Sequence, residues 1–511
     1  MAEKSGILRA IVRGWVRFYY PRIEVTGGDL IPREGPVLLA ANHPNSLIDP
    51  VMLGIAARRP VRLMAKATLF STPVFGSLLR ALGMVPAYRG SDDARQVSKN
   101  LESLAAAGRQ VAAGGAMGIF PEGKSHDATQ LAMVRSGAAR LAMQAAAAGA
   151  RGLKVVPVGL NYERKERFRS AVWVKVGRPI DVDAWLRMHG GDEHLAMRTM
   201  TQEISARLKR CVVHLDDPAW ENLLDEVEAL LPVAGGPTQA LARLHQRKRV
   251  ADAINHAHKA DPARAEAAAQ RVHAYAKTLE KTGMTADALL LQRSGWRLAV
   301  SVIWGAVKLL LSGFVGLIGL LHHLVPYGLV RLIAVRLPAS GRMVVAMGRL
   351  GLSLPIYAVW YAFVWWRRSL YFVPWVAWAW AAAMPWAGLV ALALGRKLRV
   401  ALPAWWAELK LWFAPKRAAS LREEGKAVGA LLAGFATQAV GRRWQEAGRN
   451  REGGKPVIYR PPVWITVIVA SGVLALCVGL GAWLWRDRPI EVWRQHAPAL
   501  HEFSATELTE R

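Results

Sequence analysis

The residue types in this chain that could do chemistry begin with His43 and Asp49, inside Ala41-Asn42-His43-Pro44-Asn45-Ser46-Leu47-Ile48-Asp49-Pro50. A histidine abstracts a proton better when a carboxylate holds its other ring nitrogen and stabilises the imidazolium that forms. On one regular helix, at about 100° per residue, these two side chains would miss each other by about 120°. The His must therefore sit on a loop that folds back towards the Asp, and Pro44 and Pro50 suit a non-helical path. Taken alone, such a pair is more often a turn histidine and a helix-capping Asp, so its meaning depends on what accompanies it.

The elements that must hold the pair are readable around it. Val37–Ala41 is an apolar run with the character of a buried strand, and His43 follows directly where such a strand would end. Val61–Ala65, Met117–Phe120, Lys154–Val158 and Val172–Val176 are further strand-like runs. Between them Leu101–Ala113 and Gln130–Ala148 are Ala-rich enough to be helices on propensity. This alternation predicts an α/β domain, a central mixed sheet flanked by helices, over residues 25–212.

Four blocks occur in order within that domain. Asn42 to Asp49 is the first. Gly83-Met84-Val85-Pro86-Ala87-Tyr88-Arg89, preceded by Lys66-Ala67-Thr68-Leu69-Phe70, is the second. Phe120-Pro121-Glu122-Gly123-Lys124-Ser125 is the third, and Val156-Pro157-Val158-Gly159 the fourth. Their order and spacing resemble the PlsC-like glycerolipid acyltransferases, and Val176-Gly177-Arg178-Pro179-Ile180 matches a short signature that closes that domain. The resemblance covers about residues 25–210. It implies acyl transfer from a thioester donor, acyl-CoA or acyl carrier protein, to a hydroxyl of a glycerol phosphate, with no cofactor. It further implies His43 as general base and Asp49 as its orienting partner. Arg89 would hold the acceptor phosphate, Glu122, Gly123 and Ser125 would line the glycerol-phosphate site, and Pro157 would shape the wall near the thioester. Lys124 joins them as a phosphate contact on charge grounds. The spacing departs from the common His-x4-Asp of the family and resembles its glycerol-3-phosphate/dihydroxyacetone-phosphate acyltransferase branch, which favours glycerol 3-phosphate as acceptor. A 1-acylglycerol 3-phosphate or other lysophospholipid acceptor is the nearest alternative. A non-catalytic lipid-binding membrane protein is the alternative from another class.

Composition bears on the partners. The 511 residues include 67 Lys+Arg against 38 Asp+Glu, a net charge of +29, which points to anionic partners. With 52% hydrophobic residues and 21 Trp, the anionic surface expected is a lipid bilayer rather than nucleic acid. Cys211 and Cys477 are the only cysteines, so no disulfide framework or metal-ligand cluster is expected. Residues 1–24 suggest an amphipathic membrane-associating helix, with Arg9, Arg13 and Arg17 on one face; packing of that helix on the domain fits equally well. Residues 213–296 read as a soluble helical region without evident chemistry, with His256, His258 and His273 as solvated helix residues. Residues 297–395 read as membrane helices: Leu298–Leu321 carries a single charge, Lys308, over 24 residues, about 36 Å of helix. Met343–Trp366 and Ser369–Leu394 are also apolar but interrupted by Arg and Pro. Residues 396–462 form a basic segment that the positive-inside rule assigns to the cytoplasm, with the catalytic domain on the same face. Val463–Trp485, uncharged over 23 residues, is expected to be a transmembrane helix, and 486–511 a tail. Oligomeric state is not legible.

Overall fold

The structure, a computed structural model, describes residues 2–46, 48–71, 73–88, 97–126, 128–190, 192–231, 239–284, 295–336, 342–447 and 457–459. Arg89 and Val463–Trp485 lie outside the described residues. The chain divides into two compact units, one of residues 1–308, 335–348 and 395–466, the other of residues 309–334, 349–394 and 467–511.

The first unit is built on a mixed nine-stranded sheet. Its strands are β1 (Arg22–Thr26), β2 (Val37–Ala41), β3 (Val61–Lys66), β4 (Val85–Ala87), β5 (Ala116–Ile119), β6 (Lys154–Tyr162), β7 (Ala171–Val176), β8 (Ile180–Asp181) and β9 (Val457–Tyr459). The order is β4-β3-β5-β2-β6-β7-β1-β9, with β8 paired to β6. The run from β4 through β6 is parallel, so these strands end on one edge; β7 is antiparallel to β6. Parallel strands covered on both faces read as continuous apolar runs, and every residue of β2 and β5 is buried.

Successive residues of each strand serve opposite faces. Leu38, Ala40, Met117 and Ile119 join a core filled from α4 (Val97–Ala112), α5 (Gly137–Ala147) and α7 (Glu193–Cys211). On the other face α2 (Ile48–Ala57) brings Leu53 so near Gly118 that an added Cβ there would lie 3.1 Å from it. The N-terminal helix α1 (Ala2–Tyr19) packs by its basic side: Arg9 donates to the carbonyls of Val61 (3.2 Å) and Leu82, and Arg13 to that of Gly54 (3.2 Å). Its large apolar side chains Ile7 and Ile11 are left exposed. The amphipathic helix is present, but two of its three arginines, Arg9 and Arg13, bind the domain.

Five of the strands coincide with the apolar runs of the sequence, and four short ones do not. The helix expected over Gln130–Ala148 begins only at Gly137, because the Ala132 and Arg135 N–H groups are used elsewhere, by Glu122 and the Pro121 carbonyl. Within the helical region expected over 213–296, Glu221–Leu230, Gln239–Ala260 and Pro262–Thr282 are helices. Their core includes Ala407, Ala418, Leu421 and Val428, so helix Pro415–Ala447 of the basic segment packs into this bundle. His258 is not merely solvated, since it stacks on Trp220 with centroids 3.9 Å apart.

In the second unit the described chain is helical, within Gly295–Arg336, Arg342–Ser369 and Pro374–Phe413. Among the described residues two stretches are long and apolar enough to cross a membrane, Ser312–Ala334 and Pro374–Arg399. The first lies in the helix that holds Leu298–Leu321 but is displaced towards its C-terminal end. Only 22% and 28% of these stretches is buried, unlike the core helix of a soluble protein.

Candidate active site

Asn42 ends β2 by continuing its ladder with a side chain. Its Nδ2 donates to the Leu160 carbonyl (3.1 Å) and its Oδ1 accepts from the Leu160 N–H (2.7 Å). The chain then leaves the sheet at the edge where parallel strands end, the usual place for a site in an α/β fold. Ser46 takes a left-handed conformation, φ 44°, and the Ile48 N–H closes a turn on the Asn45 carbonyl at 3.0 Å. That turn delivers the chain into α2, with Asp49 in its first turn, where the helix dipole favours a carboxylate. Pro50 lies in this helix, contrary to the non-helical path expected there; proline suits a first turn, whose N–H groups have no intrahelical acceptor.

The turn brings the Nδ1–H of His43 to Asp49 Oδ2 at 2.9 Å. The carboxylate is fully buried and is matched by two further donors. The Asn45 N–H reaches the same oxygen at 2.7 Å, and the Tyr162 hydroxyl reaches Oδ1 at 2.7 Å. A carboxylate can only accept, so it assigns the imidazole proton to Nδ1 and leaves Nε2 as the basic nitrogen. Among the described residues Nε2 has no hydrogen-bond partner. The ring stacks on Phe120, centroids 4.0 Å apart and 9° from parallel, which sets its plane. It keeps 14% of its surface exposed, enough for a substrate to reach.

Burial, and then the Asp49 charge, hold the Tyr162 phenol well above its ordinary range. Tyr20 is likewise raised, chiefly by burial. Both therefore stay protonated and act as donors. Tyr20 accepts from Asn45 Nδ2 at 2.8 Å and donates to the Lys165 carbonyl, anchoring the loop between His43 and Asp49.

The third block arrives from β5, the parallel neighbour of β2. Glu122 is buried and its carboxylate is engaged within the protein. Oε1 accepts from the His43 N–H (2.7 Å); Oε2 accepts from the Ala132 N–H (3.0 Å) and is joined by the His126 Nε2–H. Lys165 ties the two loops further, donating to the carbonyls of Pro44 (3.0 Å) and His126 (3.2 Å). Gly123 has φ 75°, a conformation costly to a residue with a Cβ. Lys124 is exposed and Ser125 half-buried beside it. The structure thus gathers His43, Asp49, Glu122, Gly123, Lys124 and Ser125 at one sheet edge. Pro157 is separate, buried within β6 where an added Cβ at Gly177 would lie 2.9 Å from its Cγ. Arg89 is outside the described residues, although β4, which ends at Ala87, points to this same edge.

Sequence reasoning gave no role to Tyr20, Asn45, His126, Tyr162 or Lys165. Tyr162 is 113 residues from Asp49, at the end of β6 beyond the apolar run Lys154–Val158. Among the described residues no group of His, Cys, Asp and Glu suited to a metal ion occurs. The arrangement can take a proton at Nε2, stabilise the resulting imidazolium through Asp49, and hold the ring while doing so.

Comparison with known proteins is consistent with this chemistry. The family model described as acyltransferase matches residues 22–161. An uncharacterized protein of Mycobacterium tuberculosis is 34% identical over 124 residues, 22% of this chain and 30% of its own length. Glycerol-3-phosphate O-acyltransferase 2 of Saccharomyces cerevisiae is 44% identical over 70 residues, 14% of this chain and 9% of its own. The chain spans well under half the length of the curated relatives it matches. The crystal structure of the 1-acyl-sn-glycerophosphate acyltransferase PlsC from Thermotoga maritima overlaps 40% of this chain and 77% of its own, at 19% identity and a TM-score of 0.29, too low to bear on the argument. With the family match spanning both the His43–Asp49 and the Glu122 blocks, residues 22–161 of this chain are a domain of the acyltransferase family.

Proposed function

We propose that the chain is a membrane-bound O-acyltransferase of phospholipid synthesis that acylates glycerol 3-phosphate from an acyl thioester, acyl-CoA or acyl-carrier protein. The observation that carries this reading is the His43–Asp49 pair, held at 2.9 Å with the carboxylate buried and the opposite imidazole nitrogen left as base. His43 Nε2 takes the proton of the acceptor hydroxyl as its oxygen attacks the thioester carbonyl. The carbon–oxygen bond forms, the carbon–sulfur bond breaks, and the proton passes from the imidazolium to the departing thiolate. A positioned base of this kind supplies roughly 10²–10⁴-fold, and positioning and oxyanion stabilisation provide the rest. The step draws on no cofactor.

Arg89 and Lys124 are assigned to the acceptor phosphate, Arg89 through bidentate charge-assisted hydrogen bonds. Gly123 and Ser125 line the acceptor site. Because its oxygens hold His43 and Ala132, Glu122 shapes that site by fixing the loop rather than by reaching the ligand. Two of the matched relatives are named glycerol-3-phosphate O-acyltransferases, which supports that acceptor. The sparsely buried apolar helices support a bilayer setting, and exposed Ile7 and Ile11 give α1 an apolar edge suited to its surface. The sheet domain is assigned to the cytoplasmic face with the basic segment, where the net positive charge would draw anionic donors and acceptors.

The test offers radiolabelled acyl-CoA with glycerol 3-phosphate or 1-acylglycerol 3-phosphate, at matched concentrations, to the full chain in membranes. Preferential labelling of glycerol 3-phosphate is expected, and Arg89→Ala should raise its KM while leaving that for acyl-CoA nearly unchanged. A clear preference for the acylated acceptor would overturn the acceptor assignment, and no transfer to either would overturn the activity.

A further inference from the structure

The helical unit contains a cavity of about 430 Å³, within the range of roughly 300–1,000 Å³ usual for small-molecule sites. Ile318, Leu321, Phe363 and Val364 form its apolar wall, and Arg367, Arg368, His322 and Trp380 its polar end. No Asp or Glu occurs anywhere in residues 309–334 or 349–394. The two guanidinium groups therefore have no carboxylate within their own unit's described helices to neutralise them. Each lies over an aromatic ring: Arg367 is 4.4 Å from the Tyr371 centroid and Arg368 3.9 Å from that of Trp380. Stacking occupies the face of a guanidinium and leaves its in-plane N–H groups to bind an anion.

His322 is the second sign of a ligand. It is only 8% exposed, it lines the cavity, and its Nε2 is buried without a hydrogen-bond partner among the described residues. A buried polar atom left unpaired is costly, and more so among apolar helices. The position of the cavity suggests what fills it. Arg367 and Arg368 occupy the last turn of helix Arg342–Ser369, and Tyr371, Phe372 and Trp375 are exposed just beyond. These residues flank the start of the apolar stretch Pro374–Arg399, and aromatic and arginine side chains at the end of such a stretch mark the headgroup level of a bilayer.

We propose that this cavity binds one anionic phospholipid, its phosphate between Arg367 and Arg368 and its glycerol and upper acyl chain against Ile318, Leu321, Phe363 and Val364. His322 Nε2 meets a phosphate or ester oxygen. The site rests on the membrane setting proposed above and lies outside the acyltransferase domain.

The test reconstitutes the full chain in phosphatidylcholine vesicles containing, at equal mole fraction, a photoreactive-chain phosphatidylglycerol or the corresponding phosphatidylcholine, and maps the labelled peptides by mass spectrometry. Phosphatidylglycerol should label the Phe363–Val364 peptide about tenfold more than phosphatidylcholine, the scale of a charge-assisted contact. Arg367→Gln with Arg368→Gln should abolish that preference, and the corresponding double Lys variant should retain part of it. Leu321→Trp, which fills the cavity without changing charge, should also reduce the labelling. Equal labelling by the two lipids in the wild type, or a preference that survives the double Gln variant, overturns the site. If neither lipid labels Ser312–Ala334, the membrane setting itself fails, and the site fails with it. Should a variant lose labelling along Ser312–Ala334 as well, it has misfolded, and the wild-type ratio alone decides.

Discussion

The buried carboxylates of the acyltransferase domain and the buried indoles of the helical unit are held in opposite ways. In the domain the buried carboxylates of Asp49 and Glu122 each gather three donors from the chain around them. In the helical unit the buried indole N–H groups of Trp360, Trp365 and Trp380 and the Nε2 of His322 have no partner among the described residues, while large apolar side chains such as Phe314 and Leu324 face outward. The first region is organised by charge-assisted hydrogen bonds in a closed interior. The second exposes apolar side chains along its helices, a surface that suits the proposed bilayer setting. One region should therefore be sensitive to loss of single polar atoms, the other to gain of them.

The largest effect expected is from His43→Ala, which should lower acyl transfer by roughly 10²–10⁴-fold. It also removes one donor to the buried Asp49 carboxylate, so stability should fall by about 1.5–3 kcal/mol with the domain still folded. Activity within a few-fold of wild type would show that the polar network of the domain does not serve catalysis. In the other region Leu324→Asp places a charge at the middle of Ser312–Ala334, at a side chain 57% exposed. Insertion into lipid should then cost about 2.5–3.5 kcal/mol, read as loss of resistance to carbonate extraction. A chain that is extracted no more readily than wild type would erase the contrast between the regions.

Tyr162→Phe tests the middle of the scale. It removes one donor to a buried carboxylate, about 1.5–3 kcal/mol, and should lower kcat about tenfold while leaving the KM for the acceptor nearly unchanged. A kcat within twofold of wild type would make Tyr162 a packing residue only.

The smallest effect concerns pH. Burial, and then Lys209, hold His214 below its ordinary value of 6.5. Its Nδ1 accepts from the Leu131 N–H at 3.1 Å, which requires the neutral ring. The unfolded chain takes up this proton more readily, so the stabilisation is present above pH 6.5 and is lost as pH falls. Thermal stability should drop by about 1 kcal/mol below that pH, and His214→Gln should flatten the slope. An unchanged slope in the variant would exclude His214 as its source.

Much of the domain was legible because parallel strands buried on both faces leave unbroken apolar runs, as in Val37–Ala41. The short edge and pairing strands carry no such signature: Arg22–Thr26 alternates charge with apolar residues and was missed. The bend between His43 and Asp49 followed from helical arithmetic, which excluded a common helix face. Their three supports, Tyr20, Tyr162 and Lys165, did not follow, since nothing local links residues up to 145 positions apart. The expected amphipathic N-terminal helix was found, yet the face that packs on the domain was decided by acceptors at Val61, Leu82 and Gly54.

By itself the sequence determined which residues could carry the chemistry, which runs could be strands and helices, and where long apolar stretches fall. These follow from residue type and short-range periodicity, properties that each segment possesses alone. Only the tertiary structure decided that Glu122 turns one oxygen to the His43 loop and the other to its own, that Tyr162 reaches Asp49, and that Arg367, Arg368 and His322 surround one cavity. Each of these depends on which strands or helices become neighbours. That choice is made by burial and hydrogen bonding summed over distant segments, and no local pattern records it.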